Sequence, residues 1–130
     1  MIVVDASAML EVLLDLPSGP AIRKRMLEPG ETLHAPHLID LEVCQVLRRY
    51  NLAGTVSPSR GRQALEDYAD FSIGRYAHGA LLPRIWELRH NLTAYDAAYV
   101  ALAEALGCPL ITCDRAVRSV KGIHAAVFVF

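Results

Sequence analysis

Short apolar runs alternate along this chain with longer stretches whose apolar residues recur every three or four positions. Residues 2–4, Ile-Val-Val, form a continuous apolar run suited to a strand buried on both faces. Helical spacing follows over 6–14. Pro17-Ser18-Gly19-Pro20 breaks that helix and starts a second one reaching about residue 27. A strand is expected over 32–35, ending at Pro36. Ile39, Val43, Val46, Leu47 and Tyr50 then make one helical stripe across 38–50, with Gly54 just past its end. Ser57-Pro58 reads as a cap followed by a first-turn proline, predicting a helix to about residue 69. A weaker strand is expected over 72–76 and a helix over 80–89, with Pro83 tolerable only in its first turn. Residues 93–106 are the clearest helix: Thr93 is the N-cap, Asp96 lies three residues on, and Gly107 supplies the stop. Strands are expected over 110–113 and 125–130, separated by a short turn or helix from Arg115 to Ser119.

Strands alternating with helices predict a parallel sheet of four or five strands covered on both faces, a three-layer α/β/α arrangement. The 130 residues suit one domain spanning 1–130. A net charge of −1 excludes a generally basic nucleic-acid binder, so attraction to RNA would need local basic patches or bound cations. Hydrophobic residues make up 53% of the chain, which predicts either a well-filled core or surface covered by a partner or second copy. No apolar run reaches the ~20 residues of a membrane span. Met1 leads directly into the first apolar run without a signal-peptide pattern, so a cytoplasmic protein is expected. Three cysteines (Cys44, Cys108 and Cys113) form no even framework and are read as reduced thiols. His34 and His37 flank Pro36 and are expected in a loop, without zinc-type spacing.

The chemistry-bearing pattern is carboxylic. In an open α/β sheet the working site lies beyond the carboxyl ends of the strands. Two runs end there in an aspartate, Val3-Val4-Asp5 and Thr112-Cys113-Asp114, and Asp96 occupies the first turn of an apolar helix. A fourth acid early in the helix after Pro36 is either Asp40 or Glu42, which helical spacing does not separate. Two unit charges ~4 Å apart repel by about 1 kcal/mol in water and about 4 kcal/mol near a protein surface. If the acids meet, one stays protonated or a cation neutralises them. An all-oxygen ligand set suits Mg²⁺ or Mn²⁺, and such a cation promotes phosphodiester hydrolysis. Each acid also has a plainer reading: Asp5 and Asp114 as helix N-caps, Asp96 as capping-box partner of Thr93, Glu42 as a solvated helix residue.

Ile2-Val3-Val4-Asp5-Ala6-Ser7 resembles the opening of the PIN-domain nucleases, and so do Leu38, Leu41 and Glu42 in the helix after Pro36. The run from Leu92-Thr93-Ala94-Tyr95-Asp96 to Ala103, followed by Leu110-Ile111-Thr112-Cys113-Asp114, is similar to the second half of the VapC-type toxins. The order and spacing match over nearly the whole chain. The resemblance implies a PIN-like fold and an acidic Mg²⁺ or Mn²⁺ site of Asp5, Glu42, Asp96 and Asp114, with Glu42 favoured over Asp40. It places Ser7 and Thr112 as supporting hydroxyls, whose plainer role is local capping or strand packing. Tyr99 and Val117 lie where some relatives carry a further acid, which puts a second tightly held metal in doubt.

The function so implied is the toxin half of a type II toxin–antitoxin pair. It would be an endoribonuclease that hydrolyses RNA through a metal-activated water, is neutralised by a VapB-type antitoxin, and forms homodimers. Arg115 beside Asp114 is the first candidate for an RNA phosphate contact, since guanidinium geometry suits phosphate. Arg118 and Lys121 are candidate extensions, and Arg84, Arg89 and His90 a second basic area. Tyr95 and Tyr99 are expected to pack in the core rather than stack on bases. Two rival readings remain. A phospho-accepting receiver domain would need paired acids after the first strand and a well-placed late lysine, where Asp5 stands alone and only Lys121 is available. A non-catalytic PIN-like RNA- or protein-binding module would bind without divalent metal.

Overall fold

Ile2, Val3 and Val4 are fully buried, as the strand at the middle of a sheet covered on both faces requires. The computed structural model describes all 130 residues. Its elements in chain order are β1 (Ile2–Val4), α1 (Ala6–Leu13), α2 (Gly19–Met26), β2 (Leu33–Pro36), α3 (Ile39–Leu52), α4 (Pro58–Ala69) and β3 (Ile73–Tyr76). A 3-10 turn (Gly79–Leu81), α5 (Leu82–Glu87), α6 (Ala94–Leu106), β4 (Leu110–Thr112), α7 (Arg115–Arg118) and β5 (Val127–Val129) complete the chain.

The five strands are all parallel, in the order β3-β2-β1-β4-β5. The chain steps outward from β1 to β2 and β3, then returns to lay β4 on the other side of β1. The order therefore reverses between β1 and β4, and a crevice opens at their carboxyl ends. Val3 pairs with Leu110 and Val4 with Ile111, and the Asp5 N–H donates to the Ile111 carbonyl at 3.1 Å. That register fixes Asp5 and the residues after Thr112 at the same sheet edge.

Helices cover the sheet in a three-layer α/β/α arrangement. α6 runs along β1, β2 and β4 and carries α5, while α1 packs on β4 and gathers α2, α3 and α4. Ala97 through Ala103 on α6 are all buried, which explains why this helix has so few charges. Thr93 caps it by accepting the Asp96 N–H, and Gly107 ends it in the left-handed conformation (φ 62°).

Two local expectations are corrected. The helix expected over 80–89 is a 3-10 turn followed by the six-residue α5, because Pro83 lacks an N–H and fits only the start of the α-helical segment. His34 lies in β2 rather than in a loop. Its imidazole is fixed by the Tyr76 hydroxyl at Nδ1 (3.0 Å) and by Thr32 at Nε2 (2.9 Å). A proline at the strand's last position does not prevent the preceding residues from pairing with β3.

α1 and α2 approach so closely that a Cβ on Gly19 would lie 2.5 Å from the Glu11 carbonyl oxygen. Gly19→Ala is expected to destabilise the fold by about 1–3 kcal/mol, despite alanine's better helix propensity. Urea unfolding measures this, and a variant as stable as the parent would contradict the close approach.

Candidate active site

A groove of about 710 Å³ opens at the carboxyl ends of β1 and β4, walled by α1, α3 and the first turns of α6. Asp5, Glu42, Asp96 and Asp114 all line it, together with Ser7. Four segments far apart in sequence thus contribute one carboxylate each.

Each acid is held by donors from its own or a neighbouring element. Asp5 is the N-cap of α1: its Oδ1 accepts the Ala8 N–H at 2.9 Å and the Ser7 hydroxyl at 2.7 Å. Ser7 Oγ in turn accepts the Cys113 N–H at 2.9 Å and lies 3.5 Å from Thr112 Oγ1, so one hydroxyl ties the end of β1 to the end of β4. Thr112, fully buried, accepts the Asp114 N–H at 2.9 Å, and Asp114 Oδ1 caps α7 through the Ala116 N–H at 2.8 Å. Asp96 Oδ2 accepts the Thr93 hydroxyl at 2.6 Å, reciprocating the cap on α6. Glu42 Oε2 accepts the Tyr99 hydroxyl across the gap between α3 and α6.

The capping readings and the shared groove therefore coexist. One oxygen each of Glu42, Asp96 and Asp114 is engaged by the protein and the other makes no hydrogen bond within the chain, while Asp5 is held by Ser7, Ala8 and Thr112. No lysine, arginine or histidine forms an ion pair with any of the four. Asp40, the alternative to Glu42, is differently placed. It is bound by the Arg75 guanidinium at 2.9 Å and by the Tyr68 hydroxyl at 2.6 Å, and does not line the groove.

The electrostatics follow from this geometry. Burial raises the Asp5 carboxyl above the usual aspartate range, opposed by the Ser7, Thr112 and Ala8 donors and reinforced by the charge of Asp96. Burial likewise raises Glu42, opposed by the Tyr99 hydroxyl and reinforced by Asp5 and Asp96. Burial, reinforced by the charges of Asp5 and Glu11, pushes the Cys113 thiol up to about 11, which favours the protonated thiol at neutral pH.

The donor set offers hard oxygen ligands, the type that suits Mg²⁺ or Mn²⁺. No three of the carboxylates stand as a closed ligand set around a common point. The fit rests on donor chemistry: four carboxylates line one groove and none has a basic partner, a field that a cation would relieve.

The other expected side chains are distributed unevenly. Arg115 is exposed at the first position of α7 and does not line the groove, nor do Arg118 and Lys121. Arg84 is engaged by Glu104 (2.7 Å), Glu87 (2.8 Å) and the Gly122 carbonyl (2.5 Å), so it is not a free basic patch. Arg89 lies over the Trp86 ring at 4.8 Å. Tyr99 is buried as expected, but its hydroxyl reaches Glu42. Tyr95 corrects the expectation of core packing: it is 63% exposed and lines the groove one residue before Asp96. Sequence reasoning passed over Arg49, which also lines the groove. The signal was present, because Glu42, Gln45, Val46, Arg49 and Tyr50 share one helical face.

A second cleft, of about 750 Å³, lies at the opposite sheet edge between α2, α4 and the starts of β2 and β3. Its Glu31 is bound to Arg25 and the amino terminus, its Asp67 accepts from Gln63, and Asp70 is the only other acid on its lining, against five in the groove.

A parallel sheet whose central strands deliver acids to one edge is the setting found here, and the PIN domain family model matches residues 2–123. The chain belongs to the PIN-domain family. Within that family it resembles the VapC proteins: it is 49% identical over 114 residues to Ribonuclease VapC9 of Mycobacterium tuberculosis, covering 88% of this chain and 86% of that one. The structure of PAE2754 from Pyrobaculum aerophilum superposes with a TM-score of 0.70 at 26% identity, covering 97% of this chain and 81% of the other. The structure of VapBC2 from Rickettsia felis, bound to a DNA fragment from their promoter, shares the fold with a TM-score of 0.73. Its identity is 11%, and it covers 100% of this chain and 99% of that one.

Removing charge from the groove tests its electrostatics without any assay of activity. An acid whose folded pKa is raised contributes stability that is fully present below its unfolded pKa and is lost as pH rises through the folded value. In metal-free buffer, Asp5→Asn and Glu42→Gln are expected to raise Tm at pH 7 and to lose that advantage near pH 4, where the parent acids protonate. Asparagine still caps α1. A lower Tm for both variants at pH 7 would mean that the hydrogen bonds outweigh the buried charge.

Proposed function

We propose that the chain is a divalent-metal-dependent endoribonuclease, the toxin component of a type II toxin–antitoxin pair. The observation carrying this reading is that Asp5, Glu42, Asp96 and Asp114 converge on one groove while none is neutralised by a basic side chain. Asp40, two residues before Glu42 and outside the groove, is by contrast paired with Arg75. The similarity to Ribonuclease VapC9 supports RNA as the substrate class.

In this reading the four carboxylates would hold Mg²⁺ or Mn²⁺. When bound, the cation supplies positive charge that lowers the pKa of water and offsets charge developing on the phosphodiester. The protein's own part is positioning. Ser7 and Thr112 bind the end of β1 to the end of β4 and fix Asp5 and Asp114 in mutual register. Tyr99 holds Glu42 Oε2 and so restrains the carboxylate at the groove. Thr93 does the same for Asp96. Water adds to phosphorus, a phosphorus–oxygen ester bond breaks, and the strand is cut internally. No serine, cysteine or histidine nucleophile is required. Arg115, exposed beside Asp114, would meet phosphate beyond the rim.

A VapB-type antitoxin would neutralise the toxin by covering the groove; the VapBC2 assembly, which shares this fold, supports that pairing. Exposed Leu41 (76%) and Tyr95 in the groove and Trp86 (68%) and Leu82 (55%) on α5 leave apolar surface for a partner and for a second copy of the chain.

Asp96→Asn and Glu42→Gln are expected to lower the rate of RNA cleavage by at least ~100-fold while the far-ultraviolet circular dichroism is unchanged. Chelation with EDTA should abolish cleavage by the parent chain, and Mg²⁺ should restore it and raise Tm by binding the folded state alone. Sequencing RNA ends after expression of parent and Asp96→Asn chains identifies the target. Cleavage that persists in EDTA or in Asp96→Asn would remove the metal-nuclease reading.

A further inference from the structure

Five carboxylates line the groove: Asp5, Glu11, Glu42, Asp96 and Asp114. Arg49 is the only lysine or arginine among its lining residues, and no carboxylate pairs with it. It lies on α3 seven residues beyond Glu42, two turns along the same face, a separation of roughly 10 Å along the helix axis. Its guanidinium rests 5.6 Å from the Tyr50 ring centroid, a contact that leaves its N–H donors available. Across the groove, Tyr95 presents a ring that is 63% exposed beside Asp96.

An RNA strand entering this groove meets five carboxylates and one guanidinium on an otherwise largely apolar wall. Its phosphates are accommodated at two places only: at the acids once a cation is bound, and at Arg49. The spacing of those two places sets the register of the strand. A ring exposed beside the acids accepts the face of a base, but only of a base not already paired and stacked in a duplex.

We propose that Arg49 and Tyr95 form a two-point clamp for unpaired RNA, Arg49 taking a phosphate flanking the scissile one and Tyr95 stacking on a base next to it. The proposal rests on the nuclease reading and assigns the two side chains that hold the strand in the groove.

The test measures binding of a labelled, unstructured RNA oligonucleotide and of its blunt duplex, in Mg²⁺, to the cleavage-impaired Glu42→Gln chain with and without second substitutions. Parent-chain cleavage of the same RNAs is measured in parallel. Tyr95→Ala is expected to weaken single-strand binding by about ten-fold and to leave duplex binding unchanged, with Tyr95→Phe restoring it. Arg49→Ala is expected to weaken single-strand binding and to reduce the slope of log affinity against log salt by about one, with Arg49→Lys keeping the slope. In chains that still cut, both alanine substitutions should act mainly on KM.

Equal losses on single strand and duplex, or an unchanged salt slope, overturn the clamp while cleavage by the parent chain leaves the nuclease reading standing. A parent chain that neither binds nor cuts RNA removes both. If the groove instead serves a basic peptide, Arg49→Ala leaves RNA binding untouched and tightens binding of an oligo-arginine probe, and the clamp is overturned.

Discussion

Repulsion among like charges is the constraint around which this molecule is organised. Burial raises the proton affinity of Asp5 and Glu42, and the charge of Asp96 adds to the effect at both. Left to themselves, such side chains would turn toward solvent and separate. They do not separate because each is fastened locally: to a helix N-terminus, to a hydroxyl of its own capping turn, or to a tyrosine on the facing helix. The sheet supplies the rest, since the pairing of Val4 with Ile111 sets the ends of β1 and β4 side by side.

A single residue therefore does two kinds of work at several positions. Asp5 and Asp114 start helices and also face the groove, and Thr93 starts α6 while restraining Asp96. Capping uses one carboxylate oxygen and leaves the other free, so the structural and chemical readings of these acids are not competitors. Asp40 illustrates the contrast. Arg75 and Tyr68 hold both of its oxygens in an exposed network, and nothing remains for a ligand.

Tyr99 shows how an apolar pattern hides a polar role. It lies in a helix whose other inward residues are aliphatic, and its ring is buried among them, yet its hydroxyl is the one donor that reaches Glu42. Tyr95, one turn earlier on nearly the same face, stands at the start of the helix and ends in the open groove. Both belong to the same sequence motif, but four residues of separation place one in the core and the other at the entrance.

The order of elements, the parallel sheet, the N-caps at Ser57 and Thr93 and the stop at Gly107 were legible in the chain. They depend on local physics: hydrophobic period, missing N–H groups at prolines, and side chains that bond to their own backbone. The acids at the ends of the first and fourth strands were legible for the same reason, because strand ends in a parallel sheet face a common edge. Proximity between distant segments was not. The choice between Asp40 and Glu42 came from family resemblance, and its structural counterpart depends on where Arg75, Tyr68 and Tyr99 arrive from other parts of the chain. Arg49 entering the groove, Arg84 being taken up by Glu104, and the break before α5 are likewise decided by packing. Local sequence sets which face a side chain can occupy; only the tertiary fold decides what stands opposite it.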